Sequence, residues 1–367
     1  MKYIFLVKDV DISTYIPTKI IENLTFTFNK ISYQINVPIS TYETPLFYSI
    51  QRGAKVSQKS PINIAILNDC MTRSAIFQCE NIADMQAFLK IVDKKRAQND
   101  YFQNIINETS KHCHLLKIEN QVIGNLVYIR FSYDTSEASG HNMTTIATNE
   151  ISKELVKLAK NNNLDVLYIS NSGNTCIDKK VSAINSISGR GKHVVAEINI
   201  SRQICEEILH TTPEKIVELN TKKNLLGSIL AGSLCSANAH YANMLASIFL
   251  PLGQDIANIV EASQGITYCE VKNSNLYFSV NLPNIICGCV GNGKNLNFVQ
   301  KNLQLIGCLD ENIKPIKNAS QLLSGIIGSV VLCGELSLLS ALTNQDELTK
   351  SHKAIERHKI YFFQYSS

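Results

Sequence analysis

At 367 residues the chain is too long for one small core and long enough for two domains. Its 45% apolar and 18% charged content excludes a disordered chain. A net charge of only +4 excludes a strong whole-protein footprint for nucleic acid, so any basic site must be local. The eleven cysteines include no CxxC pair, and several, such as Cys235, Cys287 and Cys333, lie in apolar runs, as in a reducing compartment. The opening MKYIFLVKDVD is too short an apolar run for a signal peptide. The most apolar stretch, residues 325–342, carries Glu335 at its centre, so no membrane span is expected. These features predict a soluble, cytoplasmic protein.

In chain order, residues 27–38 alternate like a strand and 62–67 form a short apolar one. A helix is expected to start near Glu43 and Pro45. From Ile76 an organised block begins: a strand (76–79), a helix capped by Asn81, two strands (114–118 and 126–133) hinged at Glu119-Asn120, a strongly periodic helix (144–161) and a strand (164–170). The order β-α-β-β-α-β is the split βαβ of ferredoxin-like domains. The expected fold is therefore α+β: a large domain (1–79 and 171–345) around a long central helix, with a small domain (80–170) inserted. A strand (193–199) and a helix from Ser201 follow the insert. Next come a long small-residue helix (222–250), strands at 265–272 and 275–281, helices at 297–306 and 319–342, and a last polar helix (345–359).

The segment NSGNTCIDKKVSAINSISGRGKHV, residues 171–194, sets Asp178, Lys179 and Lys180 in a loop and follows them with the basic turn Gly189-Arg190-Gly191-Lys192. Adjacent lysines repel, so an anion opposite them is one reading and a solvated surface turn is the other. Ser172, Gly173 and Asn174 supply small polar donors, which favours the anion. Glu43, beside Pro45, and Asp255, in LPLGQDIANIVEA, stand where a carboxylate is more often a first-turn helix acid than a catalyst. A lone helical histidine such as His240 is usually a satisfied core or surface group, and one on a charged terminal helix, such as His352, is usually just exposed. The run CGCVGNGKN (287–295) permits close approach of a ligand but lacks the GxGxxG spacing. His112, Cys113 and His114 alternate along a strand and cannot converge on a metal, so none is expected.

Each signal is weak alone, but their joint order resembles 3-hydroxy-3-methylglutaryl-coenzyme A (HMG-CoA) reductase from about Val37 to His352. SGNTCIDKKVSAINSISGRGKHVV is similar to the family's lysine loop and LNTKKNLLGSILAGSLCSANAHYAN to its dimer-forming, substrate-binding helix. LGQDIANIVE carries the family's aspartate, and CGELSLLSAL followed by KSH matches the C-terminal region. The resemblance implies that Lys179 stabilises the carbonyl oxyanion, Glu43 supplies a proton, Asp255 links the two, and His352, on a C-terminal flap (346–367), protonates the departing thiolate. Ser172, Asn174, Asp178, Lys180, Lys223, His240 and Asn243 then hold the glutaryl part of the substrate or order the site. Ser49, Arg52 and Lys55 match the coenzyme A segment. The small domain is implied to bind NADPH, with NADH as the alternative. Its contacts are Ser110, Lys111 and His112, then Glu137, Ala138, Ser139, Gly140, His141, Asn142 and Met143, with Val290 and Gly291 from the glycine loop.

The implied reaction is a four-electron thioester reduction to mevalonate and coenzyme A, made by a homodimer or higher oligomer. The family's Asp-Ala-Met-Gly appears here as Glu137-Ala138-Ser139-Gly140, and its Val-Gly-Gly-Gly-Thr as Val290-Gly291-Asn292-Gly293-Lys294; both changes touch the cofactor region. Relative to the family the chain is read as beginning late, without a membrane anchor. The rival readings are NAD-dependent mevalonate oxidation, a coenzyme A-binding pseudoenzyme, and an RNA-binding protein, the last of which lacks aromatic platforms beside its charges.

Overall fold

The computed structural model describes residues 14–344, Asn99 excepted, together with Glu347 and Thr349. The architecture is mixed α+β. Strands β1 (Thr18–Phe28) and β2 (Ile31–Ser40) form an antiparallel hairpin. The sequence pattern suggested one strand over 27–38. The chain instead reverses at Asn29 and Lys30, both at positive φ (49° and 65°), a two-residue turn that matches strand twist. Helix α1 (Thr44–Lys59) follows, with Pro45 in its first turn.

Strand β3 (Ile62–Cys79) organises the molecule. The sequence suggests two strands here, at 62–67 and 76–79, because Asn68, Asp69, Thr72 and Arg73 interrupt the apolar pattern. It is one 18-residue strand. Its first half pairs in parallel with β1 and antiparallel with β7 (Gly191–Ile200), ending at Cys70↔Gly191. Its second half, from Met71↔Tyr133 onward, pairs antiparallel with β5 (Leu126–Asp134) and β6 (Val166–Ser170).

Beyond β3 the chain forms α2 (Ile82–Arg96), whose Asp84 N–H is accepted by the expected cap Asn81, and the short α3 (Tyr101–Asn107). Strand β4 (His114–Ile123) pairs with β5 across a turn at Gly124-Asn125, not at the expected Glu119-Asn120. Helix α4 (His141–Asn161) precedes β6. The strand order in this part is β4-β5-β3-β6, all antiparallel. Its own core gathers Phe88, Phe131, Ile151 and Leu155; Ala75, Phe77 and Cys79, which precede residue 80, already belong to it.

The other sheet runs β2-β1-β3-β7-β9-β8, with β8 (Ile266–Lys272) and β9 (Asn275–Ile285). Helices α5 (Ala183–Ser188) and α6 (Arg202–Ile208) flank β7. The expected long helix over 222–250 does not form. Helix α7 (Pro213–Leu219) runs into a π-helical stretch (Asn220–Gly227) and the short α8 (Ser228–Leu230). The chain then breaks at Gly232 (φ 71°) and Cys235 (φ 50°) before α9 (Tyr241–Phe249). Left-handed backbone at two positions ends a helix whatever the propensity of its neighbours. A 3₁₀ turn (Ile256–Asn258), α10 (Ile259–Ala262) and α11 (Asn297–Leu305) lead to α12.

Helix α12 (Ala319–Leu342) is the true central helix. It is long and apolar enough to cross a bilayer, but 94% of its most apolar window is buried against the sheet, α1 and α9. Each Leu, Ile or Val so buried contributes about 2 kcal/mol to folding. Glu335, in its middle, is buried with four donors on it: Asn224 Nδ2 (3.3 Å), the Ala239 and His240 amides (2.6 and 3.2 Å) and Thr267 Oγ1 (2.9 Å).

Candidate active site

The loop between β6 and α5 lies against the midpoint of β3, where that strand passes from one sheet to the other. The Gly173 amide donates to Ser74 O (3.0 Å), and Arg73 Nε donates to Asn171 O (3.0 Å). Thr72 and Ser74 are wholly buried, so the polar residues that interrupt the strand pattern are the ones that hold the loop. Asp178 receives Arg190 Nη2 at 2.6 Å, with Arg73 at 3.5 Å and His141 at 3.7 Å. Burial pushes its carboxyl up, but Arg190, His141 and Lys179 outweigh this and hold it below the usual range.

Lys179 follows in the left-handed region (φ 57°). Its Nζ lies 2.9 Å from Asp255 Oδ2, with the two side chains 42% and 43% exposed. The hydrogen bond to Asp255 raises the lysine pKa above its ordinary value. Burial acts to raise the Asp255 pKa, but Lys179 and the Ala257 amide, 3.1 Å from Oδ1, draw it down. Asp255 is thus both a helix-cap acid, as its bland reading had it, and the partner of Lys179. Lys180 is exposed and, among the described residues, donates only to Asp178 O (3.2 Å). Ser172 and Asn174 are exposed at the loop's start.

The second basic turn meets its anions within the chain: Arg190 on Asp178, and Lys192 on Asp69 at 3.0 Å. Sequence reasoning missed Glu261 and underrated Arg190. A glutamate six residues after Asp255 on the apolar face of NIVEA was the available signal.

Glu43 sits at the N-cap of α1 but makes no side-chain cap bond. Asn243 Nδ2 donates to its Oε2 at 3.2 Å instead, which separates it from the bland helix-acid reading. Asn243 also lies 3.4 Å from His240 Nδ1, and His240 Nε2 is 3.0 Å from Gly334 O. Lys223 donates to Asn224, a partner of Glu335. Among the described residues no hydrogen bond or ion pair joins Glu43 to Lys179 or Asp255, so the expected three-way link is present only as its lysine–aspartate half. Of the coenzyme A segment, Lys55 is exposed and Ser49 half-buried, while Arg52 is engaged by Ser337 Oγ (2.9 Å) and Glu347 (2.7 Å). His352 lies outside the described residues.

The three expected cofactor segments are brought together. Ser136 Oγ donates to His112 O (3.4 Å), in the turn holding Ser110 and Lys111. The Cys289 amide donates to Glu137 O (2.8 Å), and Ala138 forms a parallel bridge with Val290, next to Gly291. Gly140 caps α4 at φ 86°, and a Cβ there would meet Thr135 at 2.6 Å. Ser139 lies between them, and Asn142 and Met143 lie in the first turn of α4, whose amides receive no side-chain cap. Such a helix start suits a pyrophosphate, so the residues present fit a dinucleotide. His141, in the same turn, touches Asn258 Oδ1 (3.3 Å) and Asp178, which joins this region to the lysine loop. Burial pulls the His141 pKa down, and Arg190 adds to that. The Glu137 carboxylate points elsewhere, accepting from the Ser320 amide at the start of α12 (2.6 Å). Among the described residues no cluster of three or more His, Cys, Asp or Glu is placed to hold a metal.

The site thus sets an ammonium paired with a carboxylate near the uncapped start of α4. The family model described as hydroxymethylglutaryl-coenzyme A reductase matches residues 13–357. The 3-hydroxy-3-methylglutaryl-coenzyme A reductase of Methanocaldococcus jannaschii is 38% identical over 323 residues, 88% of this chain and 77% of that protein. The Haloferax volcanii reductase is 39% identical over 323 residues, with the same coverage. A structure of the class II reductase of Streptococcus pneumoniae bound to NADPH in open conformations aligns with a TM-score of 0.69 at 17% identity, over 93% of this chain and 78% of that one, a likeness of fold. The chain belongs to the hydroxymethylglutaryl-coenzyme A reductase family, and it is an oxidoreductase.

Proposed function

We propose that the chain reduces HMG-CoA to mevalonate and coenzyme A, consuming two NADPH, in the mevalonate route to isoprenoids. The observation that carries this reading is the Lys179–Asp255 pair at 2.9 Å, joined through Asp178 and His141 to the start of α4. The bound dinucleotide supplies hydride. Lys179 holds its ammonium toward the thioester oxygen and stabilises the anion of the first step, where charge develops. Asp255 orients that ammonium and keeps it protonated. His352 protonates the departing thiolate, and Glu43 protonates the aldehyde oxygen in the second step. Asn243 and His240 orient Glu43. Lys180, Lys223, Ser172 and Asn174 receive the glutaryl end, and Ser49, Arg52 and Lys55 the coenzyme A.

In this reading residues 80–170, packed on the second half of β3, are a ferredoxin-like NADP(H)-binding insert, and residues 1–79 and 171–345 form the substrate domain; the C-terminal flap assigned to 346–367 lies, Glu347 and Thr349 apart, outside the described residues. The working form is a homodimer in the cytoplasm. Support for the dimer comes from the missing contact between Glu43 and Lys179, and from Leu226, Ile229, Leu230 and Leu234, all exposed, Leu230 to 90%. Sedimentation showing a fully active monomer would remove it.

The test of the reaction follows dihydronicotinamide absorbance with and without HMG-CoA, and counts mevalonate formed. Two NADPH per mevalonate are expected. Mevalonate-dependent NAD reduction alone would favour the oxidative reading, and HMG-CoA binding without turnover the pseudoenzyme.

A further inference from the structure

Glu261, on α10, is wholly buried. Its Oε1 accepts the Lys179 amide at 3.1 Å and lies 3.7 Å from Arg190 Nε. Among the described residues neither Glu261 Oε2 nor Arg190 Nε has a hydrogen-bond partner. Arg190, equally buried, spends its other nitrogens on Thr72 O (2.6 Å), Thr72 Oγ1 (3.0 Å) and Asp178 Oδ1 (2.6 Å). The Asp178-Lys179 unit is therefore gripped from both sides. One grip is through the Asp178 side chain, and the other is through the peptide N–H of Lys179, a residue with a Cβ in left-handed backbone. A change in how firmly Glu261 holds that amide changes where the Lys179 ammonium points.

We propose that Glu261 is a positioning residue: as a carboxylate it locks the Lys179 peptide with the ammonium aimed at Asp255 and the substrate, and on protonation it relaxes that lock. This rests on the reduction proposed above and adds a pH dependence to it. The charged groups facing Glu261 are Arg190 from the start of β7 and Asp178 and Lys179 from the lysine loop; His141, from α4, reaches it only through Asp178. From β9 the neutral Asn284 Nδ2 donates to the Glu261 peptide oxygen (3.4 Å). Burial pushes the Glu261 carboxyl up to about 7, against the pull of the Lys179 amide and Arg190. Above that pH the carboxylate accepts more strongly from Lys179 N–H and draws Arg190 Nε across the 3.7 Å gap. Below it the neutral acid holds neither as well.

The test compares Glu261→Gln with the native protein. The amide keeps the shape and one acceptor oxygen but cannot ionise. Native kcat at saturating HMG-CoA should fall as pH drops through about 7, with KM nearly constant. The Gln variant should lose that limb and run roughly tenfold slower above it. A variant with the same limb and midpoint overturns the inference. A second reading needs no variant: a ¹³C-glutamate carboxyl titration of the native protein should contain one resonance with a midpoint near 7 that moves on Arg190→Lys. Titration of every carboxyl in the ordinary range overturns it. Absence of HMG-CoA-dependent turnover in the native protein would remove the reaction, whereas the carboxyl titration would still read Glu261 itself.

Discussion

Two glutamates, Glu335 and Glu261, are wholly buried, one beneath each half of the candidate site. Glu335 meets four donors and fixes the turn that presents His240 and Asn243 to Glu43. Glu261 meets one backbone amide, has a bare oxygen, and stands just beyond reach of an equally buried guanidinium. Burying a carboxylate is costly unless donors replace water. The Glu335 half is therefore built to be rigid. The Glu261 half, which carries Lys179, is left with an unsatisfied group and a carboxyl that burial pushes up to about 7. Among the described residues, the half that carries Lys179 is the less completely bonded of the two.

The strongest way to test that division is to remove the chemistry of one half. Lys179→Ala should lower kcat by roughly 10²–10³-fold, the scale for losing one oxyanion donor, while coenzyme A binding measured by calorimetry stays near native. A variant retaining most of its turnover would make Lys179 a surface charge. The converse experiment attacks the rigid half. Glu335→Ala leaves four buried donors without their acceptor and should cost about 3 kcal/mol of stability, read as a lower urea midpoint with an unchanged slope. A loss below about 0.5 kcal/mol would mean that the four contacts are incidental.

Glu261→Gln should change stability in the opposite sense. A buried acid whose folded pKa is raised from 4.5 to about 7 keeps a proton that the unfolded chain has lost. Native stability therefore falls as pH rises from 4.5 through about 7, and is flat above. At about 1.4 kcal/mol per pKa unit the full cost is about 3 kcal/mol, which the Gln variant escapes. The variant should thus be more stable than native at pH 8 and similar to it at pH 4. Parallel stability curves for the two proteins would put Glu261 in the same class as Glu335.

The pieces legible in the sequence were those whose chemistry is local. The Asn81 cap meets the Asp84 amide three residues on, and Asp178-Lys179-Lys180 and Asp255 stand in short motifs that can be read without their distant partners. The pieces misread depend on distant partners. Thr72, Arg73 and Ser74 look like a gap between strands because their value lies in gripping residues 171–178 and Arg190, about a hundred positions away. The helix expected over 222–250 fails because its small residues allow left-handed backbone at Gly232 and Cys235, which composition does not reveal. Glu261 left only its place on an apolar face as a signal, because its partner on Lys179 is a backbone amide rather than a charge.

The smallest effect concerns the cofactor. NADPH exceeds NADH by a ribose phosphate, and the Ser110-Lys111-His112 turn offers it a cation and no acid. Lys111 is exposed, so its attraction is screened and lacks an arginine's bidentate fork. Glu137, from the adjoining cofactor segment, is an acid whose charge would oppose that attraction. Yet its carboxylate is bound to the Ser320 amide at the start of α12, where the helix dipole favours it. The two residues should therefore separate. Lys111→Ala should reduce the ratio of kcat/KM for NADPH over NADH by roughly three- to tenfold at low ionic strength, with less change as salt rises. Glu137→Gln should leave the ratio almost unmoved and instead cost about 1 kcal/mol of stability, because a neutral amide caps α12 less well. If Glu137→Gln raises the NADPH preference as much as Lys111→Ala lowers it, the carboxylate acts on the cofactor and its bond to Ser320 does not hold it away.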